Sequence, residues 1–290
     1  MNLWITRRAL LTACGEGPPN PVTFPWNQLP SGARGALLPR LASEICPHVS
    51  PRIEQRDRAC AHVLLAVHRL LDGISDLGPP ERTGIILGTA LGCASVNDAY
   101  HRSTLPPVSR PSPVLFGYTV PSAPVGEVAA AFGLRGHQLV IMAGACSGLA
   151  ATAEACSALL LHRAAAIILL ASDVLSPDRI ELLHQQGSPP PVEATVALLI
   201  ERPDHATSRG RAPLAELRQV TPVPASTTAI HATFTYLGAT GLVELAATTS
   251  PGERLEFFAE DRGVRWRLRA RFQGGGTQTL VGDPSAAKVT

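Results

Sequence analysis

The sequence predicts an α/β fold in which short buried strands alternate with helices, and three observations carry it. Residues 83–91 (TGIILGTAL), 165–172 (AAIILLAS) and 194–201 (ATVALLIE) are short, nearly continuous apolar runs, the pattern of strands buried on both faces. Residues 56–72 (RDRACAHVLLAVHRLLD) place Cys60, Val63, Leu64, Val67, Leu70 and Leu71 on one stripe at helical spacing. Residues 138–143 (QLVIMA), 147–162 (SGLAATAEACSALLLH) and 165–172 then read strand, helix, strand, which makes a parallel crossover unit.

The remaining elements follow in chain order. Residues 2–12 open as a strand and lead into a Gly/Pro-rich loop from Gly15 to Pro30. On the helix 56–72, His62 and His68 are expected at the surface or the flank. After a proline-rich loop at 105–113, a helix starts near Pro124 and stops at Gly133, because glycine readily takes the left-handed conformation of a helix end. Residues 185–192 read as a loop, 214–220 as a strand and 235–249 as a glycine- and alanine-rich helix. Strands follow at 254–258 and 263–272, the second with Arg265, Arg267, Arg269 and Arg271 on a face expected to be solvated.

With 290 residues, 45% of them apolar, the chain can bury a large core. A net charge of +2 and the lack of any basic run interleaved with aromatics exclude a nucleic-acid footprint. Six cysteines lie far apart with no CxxC and no zinc spacing, so free thiols in a reducing cytoplasm and no metal are expected. The segment from Thr6 to Cys14 mimics export signals, but its apolar stretch is shorter than the roughly 7–15 residues of a signal core. No apolar run reaches the roughly 18 residues of a membrane span.

The chemistry concentrates at Gly144-Ala145-Cys146-Ser147-Gly148, which has the form of a nucleophile elbow between a strand and a helix. Small residues at Gly144, Ala145 and Gly148 permit the tight turn. Cys146 is then expected to be exposed on the turn, its thiolate favoured by the helix N-terminus and nearby amides ready to hold an oxyanion. The bland alternative is a small buried apolar residue, as Cys156 is expected to be. A cysteine hydrolase would instead need a downstream acid and histidine, for which Asp204 and His231 are available.

The stretch LVIMAGACSGLAATAEACSALLLHRAAAIILLASDV resembles the active-site region of the β-ketoacyl synthases, the condensing enzymes of fatty-acid and polyketide assembly. SPVLFGYTVPSAPVGEVAAAFGLRG, TGIILGTALG and PPVEATVALLIER agree with that family in order, over roughly residues 82–202. The resemblance implies a thiolase-like, layered αβαβα fold with a shortened C-terminal half. Residues 1–205 would form an N-terminal-like half with the elbow and 206–290 an abbreviated second half. It further implies a cytoplasmic dimer, no cofactor, and acyl groups delivered on an acyl carrier protein.

Departures from the family pattern shape the functional expectation. Thr235 stands where a catalytic histidine would be, Gly274 where a gating phenylalanine would be, and the HGTGT segment with the other histidine has no counterpart. Gly275, Gly276 and Thr277 resemble the family's turn near the elbow. Two lost acid–base groups, each worth roughly 10²- to 10⁴-fold, would leave no useful condensation. The chain is thus similar to the non-condensing chain-length factors that pair with an active ketosynthase and shape its acyl tunnel. The implied interface and tunnel wall are strand 138–143 with Leu115, Phe116 and Tyr118. The alternative is a stand-alone acyl-ACP synthase or acyltransferase using Cys146 with His231 or His205 as base, and the alternative to a ketosynthase partner is a homodimer.

Overall fold

The computed structural model describes residues 2–17, 24–38, 46–49, 51–107, 110–224, 234–248 and 254–273. The chain opens with strands β1 (Leu3–Thr12), β2 (Gly15–Glu16), β3 (Trp26–Gln28) and β4 (Arg34–Ala36), then helices α1 (Pro51–Arg56) and α2 (Arg58–Leu71). There follow β5 (Thr83–Gly88), α3 (Ala94–Thr104), α4 (Pro113–Phe116), α5 (Ala123–Phe132), β6 (Gln138–Ile141), α6 (Ser147–Leu160) and β7 (Ala166–Ser172). The last elements are α7 (Pro177–Gln185), β8 (Ala194–Glu201), α8 (Pro203–Ser208), β9 (Ala215–Pro224), α9 (Leu242–Ala247), β10 (Arg254–Asp261) and β11 (Val264–Phe272).

One large sheet runs β10-β11-β9-β1-β8-β7-β5-β6, with β2 paired to β1. Among the named strands the parallel pairings are β5 with β6 and β5 with β7, and α6 carries the chain from β6 across β5 to β7 as the crossover pattern predicts. The apolar runs are buried on both faces for a visible reason. Ile85, Leu87, Ile168, Leu170 and Leu199 point towards α2 and α5, whereas Ile86, Ile167, Leu169, Leu198 and Ile200 point towards α6 and α9. The inner face of the β9-β11-β10 end, with Leu217, Phe257, Leu268 and Ala270, closes on the same α6/α9 layer.

The layers are therefore helix, sheet, helix, sheet, as expected for a thiolase-like fold. The shortening falls on the outermost helical layer: among the described residues no helix packs on the outer face of β9–β11. That face is polar, and Arg269 pairs there with Glu256 and Arg218 with Glu216, while Arg265 stacks over Phe258. α6 can lie between the β5–β7 part and the β9–β11 end of this one sheet because Ser147, Gly148, Ala151, Ala155 and Ala158 keep its girth small.

Three sequence expectations need correction. His62 is fully buried, with both ring nitrogens lacking a hydrogen-bond partner; α2 is enclosed on nearly every side, so its single apolar stripe understated its burial. The segment 235–249 is not one helix. A 3-10 turn at Leu237–Ala239 is separated from α9 by Gly241, whose φ of 80° breaks helical geometry. Two short strands, β2 and β3, interrupt the loop from Gly15 to Pro30.

Two predictions follow from this packing. Burial first, and the Arg58 guanidinium second, push the pKa of His62 from 6.5 down to about 3. The unfolded chain binds a proton below pH 6.5 that the folded chain refuses, so stability falls as pH drops from about 6.5 towards 3. Urea midpoints should show about 2 kcal/mol lost by pH 5 through this group, and His62→Leu should flatten that part of the profile. Separately, a Cβ on Gly88 would lie 2.5 Å from the Ser147 carbonyl oxygen, whereas one on Gly126 would meet nothing within 4 Å. Gly88→Ala should cost about 1–3 kcal/mol and Gly126→Ala should stabilise by up to about 1 kcal/mol in the same assay.

Candidate active site: a sealed nucleophile elbow

The elbow follows the last residue of β6, at the C-terminal ends of the parallel strands. Gly144 has a φ of 55°, the left-handed value that the sharp turn requires and glycine tolerates. Cys146 is the N-cap of α6 and Ser147 its first residue. The Ser147 hydroxyl accepts from the Ala143 amide at 2.8 Å and lies 2.9 Å from the Thr89 carbonyl and 2.6 Å from that of Gly144. Ser147 thus ties β5, the turn and the helix together rather than facing a substrate.

Cys146 is 2% exposed, contrary to the exposed nucleophile expected from the sequence. The tip of the β10–β11 hairpin covers it. The Cys146 thiol donates to the Val264 carbonyl at 3.4 Å, and the Ala145 amide donates to Asp261 Oδ2 at 3.3 Å. Burial, and after it the charge of Asp261, push the thiol up to about 11. Helix N-terminal stabilisation of a thiolate is overridden because an anion already sits beside it. At pH 8 roughly one molecule in a thousand would carry the thiolate.

The elbow is held from behind by Asp173, fully buried at the end of β7. Its carboxylate accepts from Thr89 Oγ1 at 2.7 Å and from the amides of Ala90, Leu91 and Gly238 at 2.9, 2.7 and 2.8 Å. Gly238 in turn packs on the first turn of α6, where a Cβ on Gly148 would meet the Gly238 carbonyl at 2.7 Å. Asp173 therefore fixes the elbow between the β5 loop and the Leu237–Ala239 turn. Neither Asp173 nor Asp261 was marked by periodicity. The available signal for Asp261 was its Asp-Arg-Gly tripeptide between two alternating strands, a hairpin turn signal.

Among the described residues the structure does not bring a histidine to the thiol. Thr235 bonds to Pro190, Val192 and the Leu237 amide, none of them in the elbow. His205 pairs with Glu201 at 2.8 Å, and Glu201 lies opposite Ala166, the first residue of β7, so this histidine sits at the far end of the sheet from Cys146. Asp204 is on the same far side, paired with Arg202. These positions remove both the His205-assisted acyltransferase and the Asp204-based hydrolase triad, since a base must reach the thiol directly or through one water. His231, Gly274, Gly275, Gly276 and Thr277 lie outside the described residues; the turn observed against the elbow is Asp261–Val264.

Of the expected interface residues, Phe116 is exposed and Leu115 and Tyr118 are half-buried. β6 pairs only with β5, so its other edge is open among the described residues. Phe116 is 61% exposed and stacks on Tyr100, Met142 is 53% exposed, and Val114 and Val120 are exposed as well. Tyr118 donates to Glu127 at 2.8 Å. Leu115 lines a cavity of about 660 Å³ with Leu37, Val96, Ala99, Val174 and Leu175. Among the described residues no group of His, Cys, Asp and Glu could hold a metal ion, and no helix is long and apolar enough to cross a membrane.

The family described as beta-ketoacyl synthase, N-terminal domain, matches residues 44–190, just over half of the chain. No curated protein matches the sequence. Among solved structures, the ishigamide ketosynthase/chain length factor is similar with a TM-score of 0.76 at 18% identity, over 94% of this chain and 100% of that one. A type II PKS acyl-carrier protein in complex with its ketosynthase bound to the hexaketide gives 0.72 at 14% identity, over 93% and 99%. A beta-ketoacyl synthase from Burkholderia phymatum STM815 gives 0.62 at 15% identity, over 78% of this chain and 65% of that one. These likenesses establish the shared fold, and the family match completes the assignment: the chain belongs to the beta-ketoacyl synthase family.

Proposed function

We propose that this chain is a non-condensing, chain-length-factor-type subunit of a polyketide or fatty-acid system, which pairs with an active ketosynthase and shapes its acyl space. The carrying observation is the elbow itself: Cys146 is retained but buried and hydrogen-bonded under the β10–β11 tip, with its pKa pushed up by burial and then by Asp261, and no histidine stands beside it among the described residues. Condensation needs a thiolate and positioned acid–base groups, and each missing group removes several kcal/mol of barrier lowering. Likeness to a ketosynthase/chain length factor over nearly the whole chain supports the same role.

Pairing would use the open edge of β6 and the apolar surface of Phe116, Val120 and Met142, because unpaired strand edges and exposed apolar patches both favour a partner. Leu115 and the cavity beside it would contribute to the wall that limits product length. The catalytic work, with acyl groups brought on an acyl carrier protein, would fall to the partner.

Co-expression with a catalytically competent ketosynthase from the same organism tests this role. The two chains should co-purify, and product length should change when this chain is withheld. Val120→Asp with Met142→Asp should weaken association at least about thirtyfold, or about 2 kcal/mol, without lowering the melting temperature. Cys146→Ala should leave condensation by the pair within about twofold, as expected of a group outside the chemistry. A monomer that leaves partner activity and product length untouched, or a pair silenced by Cys146→Ala, would overturn the role.

A further inference from the structure

The hairpin that covers the elbow makes two contacts of different kinds. At Val264 a backbone carbonyl accepts a hydrogen bond from the Cys146 thiol. At Asp261 a carboxylate takes up the Ala145 amide, at the mouth of a 14-residue helix whose N-terminus favours negative charge. The elbow thiol and the amide of the residue before it are thus both engaged by one turn of the same chain.

The fit of Asp261 is specific. A Cβ built on Gly144 would lie 1.4 Å from Asp261 Oδ2, so the carboxylate fills the space that only a glycine at 144 leaves open. Its direction is set by the hairpin. Arg262 and Gly263 have φ of 47° and 78°, the pair of positive values that a two-residue type I′ turn requires, and such a turn gives its flanking residues little freedom. The charged groups around the thiol, Asp261 first and Glu260 after it, both come from this hairpin, and the first turn of α6 contributes no acidic side chain.

We infer that Asp261 is a positioning residue that latches the β10–β11 tip onto the elbow and keeps an intact Cys146 closed to electrophiles. The elbow is silenced by a contact made within the chain, with the thiol preserved beneath it, rather than by loss of the nucleophile. This deepens the subunit role proposed above by assigning what controls its elbow. It needs no partner, so the two stand or fall by different experiments.

The test uses the full chain alone, alkylated with iodoacetamide from pH 7 to 10 and quantified at each cysteine by peptide mass. Cys14 is exposed and serves as the solvent-accessible reference, while Cys156, buried on the same helix as the elbow, reports unfolding. In the unaltered chain Cys146 should react at least about a hundredfold more slowly than Cys14 at pH 8, because the hairpin tip covers its thiol. Asp261→Asn keeps the size and removes the charge; it should raise the Cys146 rate at least about tenfold and move its pH profile to lower pH, with Cys156 still protected. Gly263→Ala adds a methyl that meets nothing within 4 Å and acts only by straining the left-handed tip, so it should also speed Cys146. Cys146 reacting like Cys14 in the unaltered chain, or unchanged in Asp261→Asn with Cys156 protected, would overturn the latch. Reaction of Cys156 in Asp261→Asn would leave Gly263→Ala to decide, and an unchanged Cys146 there would overturn it equally.

Discussion

The first turn of α6 is pinned by backbone approaches too close for any side chain. Gly88 of β5 presses on the Ser147 carbonyl, and Gly148 presses on the Gly238 carbonyl. Asp173 holds the other side of that clamp by accepting the Gly238 amide together with the amides that follow β5. A buried carboxylate without those donors would cost far more than any one hydrogen bond returns, so the loops and the acid are specified together. Everything at the site depends on this clamp. It sets where the helix begins, which amide faces the β10–β11 tip, and how little room the thiol has.

Given that placement, the chemistry follows from electrostatics. A helix N-terminus ordinarily lowers a cysteine pKa by favourable interaction with the anion. Here the favourable position is taken by a carboxylate, and the thiol is left with a backbone carbonyl and a dry environment. The same fold that elsewhere supports a nucleophile therefore supports a neutral thiol. Family membership and a covered elbow thiol are compatible because the scaffold turn and the carboxylate beside it are set by different parts of the chain, β6–α6 and β10–β11.

Legibility of the sequence divides along the same line. The crossover unit and the strands buried on both faces were readable because their period and length have few alternatives, and 194–201 became β8 at the expected bounds. The elbow was readable because glycines flank the cysteine at a spacing that only a tight turn uses. Its environment was not. Asp261 comes to Ala145 across 116 residues, and Asp173 reaches Thr89 across 84. No local pattern encodes such contacts. His62 failed for a related reason: helical periodicity identifies the most buried stripe but cannot say that further elements cover the remaining faces. The segment 235–249 looked helical by composition, and the left-handed backbone at Leu237 and Gly241 divides it.

The most direct test of the sealed elbow is intact-mass analysis of the isolated chain after prolonged incubation with excess acyl- and malonyl-loaded carrier protein. A chain whose thiol is buried and neutral should show no acyl adduct and release no carbon dioxide. An adduct that forms readily and disappears in Cys146→Ala would contradict it, because the elbow would then be open to substrate and Cys146 would be working as a nucleophile.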